Sequence, residues 1–281
     1  MRIVRKLGVL LAALATVTAC APTTEPYRTP RPGDCQKDKL GTLYKGVFTF
    51  GTDQPVYPPW YIGDNPANGE GFESALAYAI ANRLGYAPGD VRWVRVPFSE
   101  AIASGSKSFD ANLNQFSITN QRRAVVDFSA PYFDVNQAVV TVKSSPAARV
   151  RSVEELKSLR LGAQVGSTSH TAALDIGGSK TVEVYNTNGD AKLALSTGEI
   201  DALVADLPTA FTVAGELRDG MIVGQLPASD EAAEQFGVVL AKRSGLTACV
   251  SSTVDALRED GTLAQLRSEW LTVEGKAPLL A

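Results

Sequence analysis

Alternation of apolar and polar residues predicts the first strands of this chain. Residues 45–51 alternate in the manner of a strand, and residues 91–96 and 110–116 are predicted as the next two. Between them, residues 71–84 carry apolar side chains at helical spacing, and a short helix is predicted to begin at Ser99. The first part of the chain is therefore predicted to alternate strands with helices.

The pattern then restarts after a long apolar strand at residues 136–143. The second series contains helices at 152–159, from Ser167, at 189–197 and at 208–217, and strands at 161–165, 181–185, 200–205 and 221–224. A strand at 236–241 and helices at 246–259 and 263–271 complete the predicted elements.

Alternation of strands and helices favours an α/β fold with parallel strand pairing. Because the series restarts, we expect two lobes of similar build with a ligand cleft between them. The predicted first lobe comprises residues 41–138 and 241–281, and the second comprises residues 143–236. Hinge strands are expected near 139–142 and 237–240.

The N-terminus has the pattern of an export signal. Arg2, Arg5 and Lys6 precede an apolar stretch at residues 7–17, and Val-Thr-Ala then leads to Cys20. Small residues before a cysteine resemble a lipobox, which predicts a signal peptide at 1–19 and lipidation of Cys20. An ordinary secretory signal and an N-terminal membrane anchor are the alternatives, although the stretch is short against the roughly 20 residues of a membrane span.

Residues 20–40 are proline-rich at first and are predicted to form a lipidated tether. The protein is accordingly expected outside the cytoplasm, anchored by lipid to the cell membrane, at the cell surface or in the periplasm. Removal of the basic signal peptide changes the net charge from −3 to about −6, and no basic stripe points to a nucleic-acid partner.

Cysteine use fits an exported protein. With Cys20 assigned to lipid, Cys35 and Cys249 remain, and a disulfide between them is expected. Two free buried thiols are the alternative. A single histidine and so few thiols offer no metal-binding cluster, so neither a metal nor another cofactor is expected.

Seven short motifs, taken in order from about Leu43 to Leu271, resemble the family 3 extracellular solute-binding proteins, the amino-acid receptors of ABC importers. The motifs are Gly51-Thr-Asp53 with Tyr57-Pro-Pro-Trp60, Gly71-Phe-Glu73, Ser117-Ile-Thr-x-x-Arg122, Val126-Asp-Phe-Ser-x-Pro-Tyr132, Gly166-Ser-Thr168, Gly198-x-Ile-Asp201-Ala with Asp206, and Asp260-Gly-Thr-Leu before Trp270. The resemblance implies a two-lobed, type II periplasmic-binding-protein fold. Glu73 and Ala75 depart from the acidic pair that usually opens the family's first helix.

By this resemblance, Arg122 binds the α-carboxylate of an amino acid, since its guanidinium matches a carboxylate bidentately. Its neighbour Arg123 is expected to be a solvated surface charge. Ser117 and Thr168 would add hydroxyl or amide donors, and Ser167 is expected to cap the helix that follows.

Asp206 is predicted to pair with the α-ammonium, because it follows a strand at the end where ligands bind in open α/β sheets. It could instead cap the helix opening at Pro208. Gln115 is expected to offer its backbone carbonyl to the ammonium. Asp201 is expected to be structural.

Side-chain selectivity is assigned to Asp53, Tyr57, Trp60 and Gln164. Stacking on the ligand and packing inside the lobe are both open for Trp60.

The predicted function is to bind a polar L-amino acid or a close relative, without catalysis, and to deliver it to ABC permease subunits as a monomer. A periplasmic enzyme of the same fold, similar to cyclohexadienyl dehydratase, is the alternative. It would need a carboxyl group acting as a general acid in the cleft.

Overall fold

Two five-stranded β-sheets organise the chain in the computed structural model, which describes residues 34–228, 234–271 and 277–281. The predicted signal peptide, Cys20 and most of the tether lie outside these ranges. Each sheet forms one lobe together with the helices packed on it, and the lobes are called first and second in the order in which the chain enters them. Among the described residues, no helix is long and apolar enough to cross a membrane.

The first lobe is built on strands β1 to β4 and β10, in the order β2-β1-β3-β10-β4. They are β1 (Phe48–Thr52), β2 (Val91–Arg95), β3 (Ala111–Asn112), β4 (Val126–Val135) and β10 (Glu234–Ala241). Its helices are α1 (Phe72–Arg83), α2 (Phe98–Ala101), α3 (Asn120–Arg123), α8 (Thr247–Glu259) and α9 (Thr262–Trp270).

The second lobe has strands β5 to β9 in the order β7-β6-β8-β5-β9. They are β5 (Gln137–Val142), β6 (Leu161–Gln164), β7 (Glu183–Tyr185), β8 (Ala202–Asp206) and β9 (Gly220–Gln225). Its helices are α4 (Val153–Leu156), α5 (Thr168–Asp175), α6 (Asn188–Thr197) and α7 (Leu207–Glu216).

Helices cover both faces of each sheet, which confirms the predicted α/β, two-lobed fold. One large apolar cluster that includes Phe48, Phe72 and Phe236 fills one side of the first sheet, and a smaller one that includes Phe98 and Phe128 fills the other. The second sheet also has a cluster on each face. Apolar side chains leave water on both faces, which is the main favourable term in forming such a layered core.

Strand pairing is mixed, whereas the sequence pattern predicted parallel pairs. β1 pairs in parallel with β2 and β3, and β6 with β7 and β8. The strands that connect the lobes pair the other way, because β5 and β10 run antiparallel to both of their neighbours.

The chain passes from the first sheet to the second at Asn136 and returns between Gln225 and Glu234. Residues 139–142 and 237–240, predicted as hinges, lie inside β5 and β10, so both crossings come before the predicted positions. The lobe boundaries need one further correction. Residues 277–281, predicted for the first lobe, pack on the second, where Leu280 joins the apolar cluster and the Gln225 N–H donates to the carbonyl of Pro278.

Cys35 and Cys249 form the predicted disulfide, with their Cα atoms 5.4 Å apart. It joins the start of the described chain to helix α8, across 214 residues of sequence.

Candidate functional site

Arg122 is positioned by a short helix that its own sequence caps. The Thr119 side chain accepts a hydrogen bond from the Arg122 N–H at 3.1 Å and so starts α3. The guanidinium is buried, with 7% of the residue exposed. Arg123, the next residue, is exposed, as predicted.

The Arg122 guanidinium connects the two lobes. Its Nη1 donates to the Ser117 carbonyl at 2.8 Å, and its Nη2 donates to the Gly166 carbonyl of the second lobe at 3.0 Å. The group lies over the Phe98 ring, with Cζ 5.5 Å from the ring centre, in cation–π geometry. Burial lowers the pKa of Arg122, and the negative charges of Glu234 and Asp206 act against that shift. An arginine side chain stays protonated inside a protein even when burial lowers its pKa, so a fixed positive charge lies between the lobes.

Two hydroxyl groups meet beside this charge. Ser117 Oγ of the first lobe and Thr168 Oγ1 of the second lie 3.0 Å apart. Each also donates a hydrogen bond to Oε1 of Glu234. Thr168 is the first residue of α5, and Ser167 caps that helix by accepting from the His170 N–H at 3.0 Å, as predicted.

Asp206 lies at the end of β8, directly before α7. Its side chain makes no capping hydrogen bond to that helix, so the capping alternative is not what the structure contains. Instead, Oδ1 accepts from Nε2 of Gln137 at 2.8 Å, and the same nitrogen lies 2.9 Å from Oε2 of Glu234. Burial and the nearby charge of Glu234 raise the pKa of Asp206 to about 8.

Gln115 is held in place by a buried glutamate. Its backbone has a left-handed φ of 51°, which is uncommon for a residue with a side chain. Oε1 of Glu73 accepts from the Gln115 N–H at 2.8 Å and from the Tyr132 hydroxyl, while Oε2 accepts from the Gln115 amide. Burial raises the pKa of Glu73 to about 7. Glu73 is therefore a positioning residue for Gln115.

A small polar cavity of about 20 Å³ lies where these groups meet. Four of the predicted site residues line it, and they come from both lobes. The lining residues are Phe98, Asn114, Gln115, Gln164, Ser167, Thr168, Ser169, Asn188 and Asp206. Ser117 contacts the lining residue Thr168, and Arg122 donates to the carbonyl of Gly166, next to the lining residue Ser167. The volume holds about one water molecule, so an amino acid requires the lobes to part.

Asp53, Tyr57 and Trp60 do not line this cavity. Asp53 is held by the Gln54 N–H at 2.7 Å, and burial raises its pKa. The Tyr57 hydroxyl lies against Gly189, where an added Cβ would come within 2.2 Å of it. Tyr57 thus contacts the second lobe at the start of α6.

Trp60 packs inside the first lobe, with 1% of the residue exposed. Its ring makes edge-to-face contacts with Phe72, Phe133 and Phe236. Stacking on the ligand and packing inside the lobe were both open for Trp60, and in the structure this residue packs inside the lobe. Its Nε1 reaches across to the second lobe and donates to Thr209 Oγ1 at 3.1 Å.

The sequence interpretation missed several polar residues that the fold brings to this place, above all Gln137 and Glu234. Each is the first residue of an apolar strand, and a polar residue at such a position was the available signal. Phe98 was also missed, since an aromatic residue gives no sign in the sequence that it will lie under an arginine. Within the described ranges, no three His, Cys, Asp or Glu side chains are grouped as metal ligands.

A model of the bacterial extracellular solute-binding proteins, family 3, matches residues 48–273. The glutamine-binding protein of an ABC transporter of Bacillus subtilis is 27% identical over 251 residues, which are 85% of this chain and 86% of that protein. The L-arginine-binding protein of Pseudomonas aeruginosa is 27% identical over 254 residues, which are 84% of this chain and 96% of that protein.

Two solved structures are similar in sequence and in fold. An ancestral arginine-binding protein bound to glutamine is 29% identical with a TM-score of 0.69, covering 81% of this chain and 98% of that one. An ancestral amino acid-binding protein, described as a precursor of cyclohexadienyl dehydratase, is 28% identical with a TM-score of 0.68, covering 80% of this chain and 95% of that one.

Proposed function

This chain belongs to the bacterial extracellular solute-binding proteins of family 3, and we propose that it binds a polar L-amino acid, or a close relative, between two closing lobes. It then presents this ligand to the permease of an ABC importer. The relatives named above bind glutamine and arginine as transport proteins, which supports a binder and not an enzyme.

The observation that carries the proposal is the meeting of a guanidinium and a buried carboxyl group between the lobes. An amino acid has a carboxylate and an ammonium on one carbon, so its receptor needs a cation and an anion a short distance apart. Arg122 supplies the cation, and Asp206 becomes the anion when the ammonium of the ligand displaces its proton, while the hydroxyls of Ser117 and Thr168 are suited to a carboxylate oxygen. These groups come from both lobes, so the site is complete only when the lobes close.

Side-chain selectivity would come from Gln164 and the neighbouring lining residues. Gln164 is buried and donates to the Asn186 carbonyl at 3.1 Å. Asp53 and Tyr57 stay in the proposed site as groups that a longer ligand would meet when the lobes are apart. Trp60 acts through its packing and its hydrogen bond to Thr209.

The experiment compares two neighbouring arginines. A thermal-shift screen of the standard amino acids finds the ligand, and calorimetry then measures its affinity for wild type, Arg122→Ala and Arg123→Ala. Loss of a buried charged partner should weaken binding by at least about 30-fold in Arg122→Ala. Arg123→Ala should bind as wild type does, because that side chain is exposed. Wild-type affinity in Arg122→Ala would refute the site, and a screen with no stabilising amino acid would refute the function.

The enzymatic alternative rests on one similar structure, the one described as a precursor of cyclohexadienyl dehydratase. Asp206 is mostly protonated at neutral pH and so has the proton that a general acid needs. Incubation of the purified protein with prephenate tests this directly. We expect no release of phenylpyruvate, and turnover that depends on Asp206 would favour the enzyme.

We propose further that the protein is exported, that residues 1–19 are removed, and that Cys20 is lipidated to anchor a monomer to the membrane. The proposal is supported by the small residues before Cys20 and by the proline-rich segment after it. Expression of Cys20→Ser in a bacterial host should move the protein from the membrane fraction to the soluble extracytoplasmic fraction. Intact mass would show whether the wild-type chain starts at a diacylated cysteine.

A further inference from the structure

The carboxylate of Glu234 occupies the hydroxyl pair that the proposed site would offer to a ligand. Oε1 accepts from Ser117 Oγ and from Thr168 Oγ1, and Oε2 accepts from Gln137 Nε2 at 2.9 Å. A carboxylate from the chain itself therefore has the hydrogen bonds expected for the α-carboxylate of an amino acid.

The donors cannot serve two carboxylates at once. A serine or threonine hydroxyl has one O–H, and here both are directed at the same oxygen of Glu234. Arg122 uses two of its five N–H groups on the carbonyls of Ser117 and Gly166. The other N–H groups can bind a carboxylate, but they do not replace the hydroxyl pair. A ligand carboxylate can thus reach the hydroxyl pair only after Glu234 has left it.

Glu234 also lies where it can connect the lobes. It is the first residue of β10, and its backbone pairs with Val135, next to the crossing at Asn136. Through its carboxylate it contacts Ser117 of the first lobe and both Thr168 and Gln137 of the second. One carboxylate between two lobes makes the same kind of bridge that a bound amino acid would make.

There is room for the side chain to withdraw. Glu234, Gln137 and Thr168 line a second, larger cavity of about 730 Å³ beside the crossing strands. A rotation of the glutamate side chain into this space would release the hydroxyl pair without moving β10.

We infer that Glu234 is an internal competitor of the ligand carboxylate: it bridges the lobes through Ser117 and Thr168 until an amino acid displaces it, and it thereby limits affinity. The inference rests on the proposed amino-acid function for its ligand, but the bridge itself is a property of the chain alone.

The competition and the bridge are tested separately on the full mature chain, by comparing Glu234→Ala and Glu234→Gln with wild type. L-Glutamine and L-arginine serve as probes in calorimetry. Removal of the competitor should strengthen binding of both by about tenfold or more in Glu234→Ala, the effect of one hydrogen bond to a charged group. Glu234→Gln keeps the size but loses the charge and should gain less. Asp134→Ala, which removes an exposed carboxylate on the neighbouring strand, is the control and should bind as wild type does.

Small-angle X-ray scattering without added amino acid measures the bridge independently of any ligand. Glu234→Ala should have a larger radius of gyration than wild type and Asp134→Ala, because the lobes lose the connection through Ser117 and Thr168. Equal radii would overturn the bridge. Equal binding of both probes by Glu234→Ala would overturn the competition, and weaker binding would make Glu234 a direct ligand contact. Absence of binding to both probes throughout the panel, Glu234→Ala included, would overturn the competition for these two ligands, and the scattering then decides the bridge alone.

Discussion

Asp206 and Glu73 have carboxyl groups whose pKa values their surroundings raise, to about 8 and about 7, so that Asp206 is mostly protonated at pH 7 and Glu73 is close to its midpoint. Burial is the main cause for both, and the charge of Glu234 adds to it at Asp206. The two residues serve different purposes. Glu73 is enclosed by donors from Gln115 and Tyr132, whereas Asp206 lines the small cavity and can meet a ligand.

The raised pKa of Asp206 predicts proton release on binding. With a pKa of about 8, this group is mostly protonated at pH 7, and an ammonium beside it favours the carboxylate. Ligand binding at pH 7 should therefore release close to one proton, and affinity should rise with pH up to about 8 and then level off. Calorimetry at pH 7 in buffers of different ionisation enthalpy measures the number of protons.

Glu234→Gln provides the matched comparison for this measurement. It removes a negative charge that raises the pKa of Asp206, so fewer protons should be released at pH 7. A binding enthalpy that does not depend on the buffer in the wild type would show that Asp206 does not meet the ammonium.

Among the helices and strands, local sequence patterns predicted the bounds of the longer helices well. Helices α1, α6, α7 and α8 begin and end within a residue or so of their predicted bounds, since apolar residues at helical spacing mark their extent. Strand β4 was missed. This strand contains Pro131 and mixes buried with exposed positions. The proline is tolerated because β4 lies at the edge of its sheet.

The start of helix α1 requires a glycine at position 71. Gly71 precedes α1 with a φ of +95°, and an added Cβ would lie 2.5 Å from the Trp60 carbonyl oxygen and 2.6 Å from the Tyr61 Cα. Both contacts are backbone atoms that cannot move aside cheaply. Gly71→Ala should therefore lower the free energy of unfolding by about 2 kcal/mol or more.

Chemical denaturation of the purified variant measures this loss. Gly89→Ala is the control, because no atom lies within 4 Å of its added Cβ and its φ is not in the left-handed region. It should stay within about 0.5 kcal/mol of wild type. Equal stability of the two variants would mean that the loop before α1 adapts at little cost.

For the whole molecule, the important contacts are those between the lobes. Arg122 reaches Gly166, Ser117 meets Thr168, and Trp60 Nε1 donates to Thr209 Oγ1. All three join residues far apart in sequence, and all would break if the lobes parted. These polar contacts therefore help to hold the lobes together.

Thr209→Val should weaken closure without harming either lobe. The substitution keeps the shape but leaves the buried Trp60 N–H without its partner, which costs about 1–3 kcal/mol in the closed form alone. We expect affinity for the amino acid to fall by about 5- to 100-fold.

Thr212→Val is the control for this effect. It lies one turn further along α7, where its hydroxyl donates to the Pro208 carbonyl within the same helix. It should leave affinity unchanged. Equal losses in both variants, measured by calorimetry, would place the effect in the stability of α7 and not in contact between the lobes.

The sequence by itself predicted the two-lobed α/β fold, most of its elements in order and the Cys35–Cys249 pairing. Spacing of apolar residues carries the information on the elements, because it acts over a few residues, whereas the pairing followed from the two cysteines left in an exported chain. The assignment of Arg122 to the ligand came from the family resemblance and stays a prediction. Only the tertiary structure decided that Trp60 packs in the core and that Glu234 meets Ser117, from which it is separated by 117 residues. Such meetings depend on how two sheets are placed against each other, and no pattern within a single element encodes that placement.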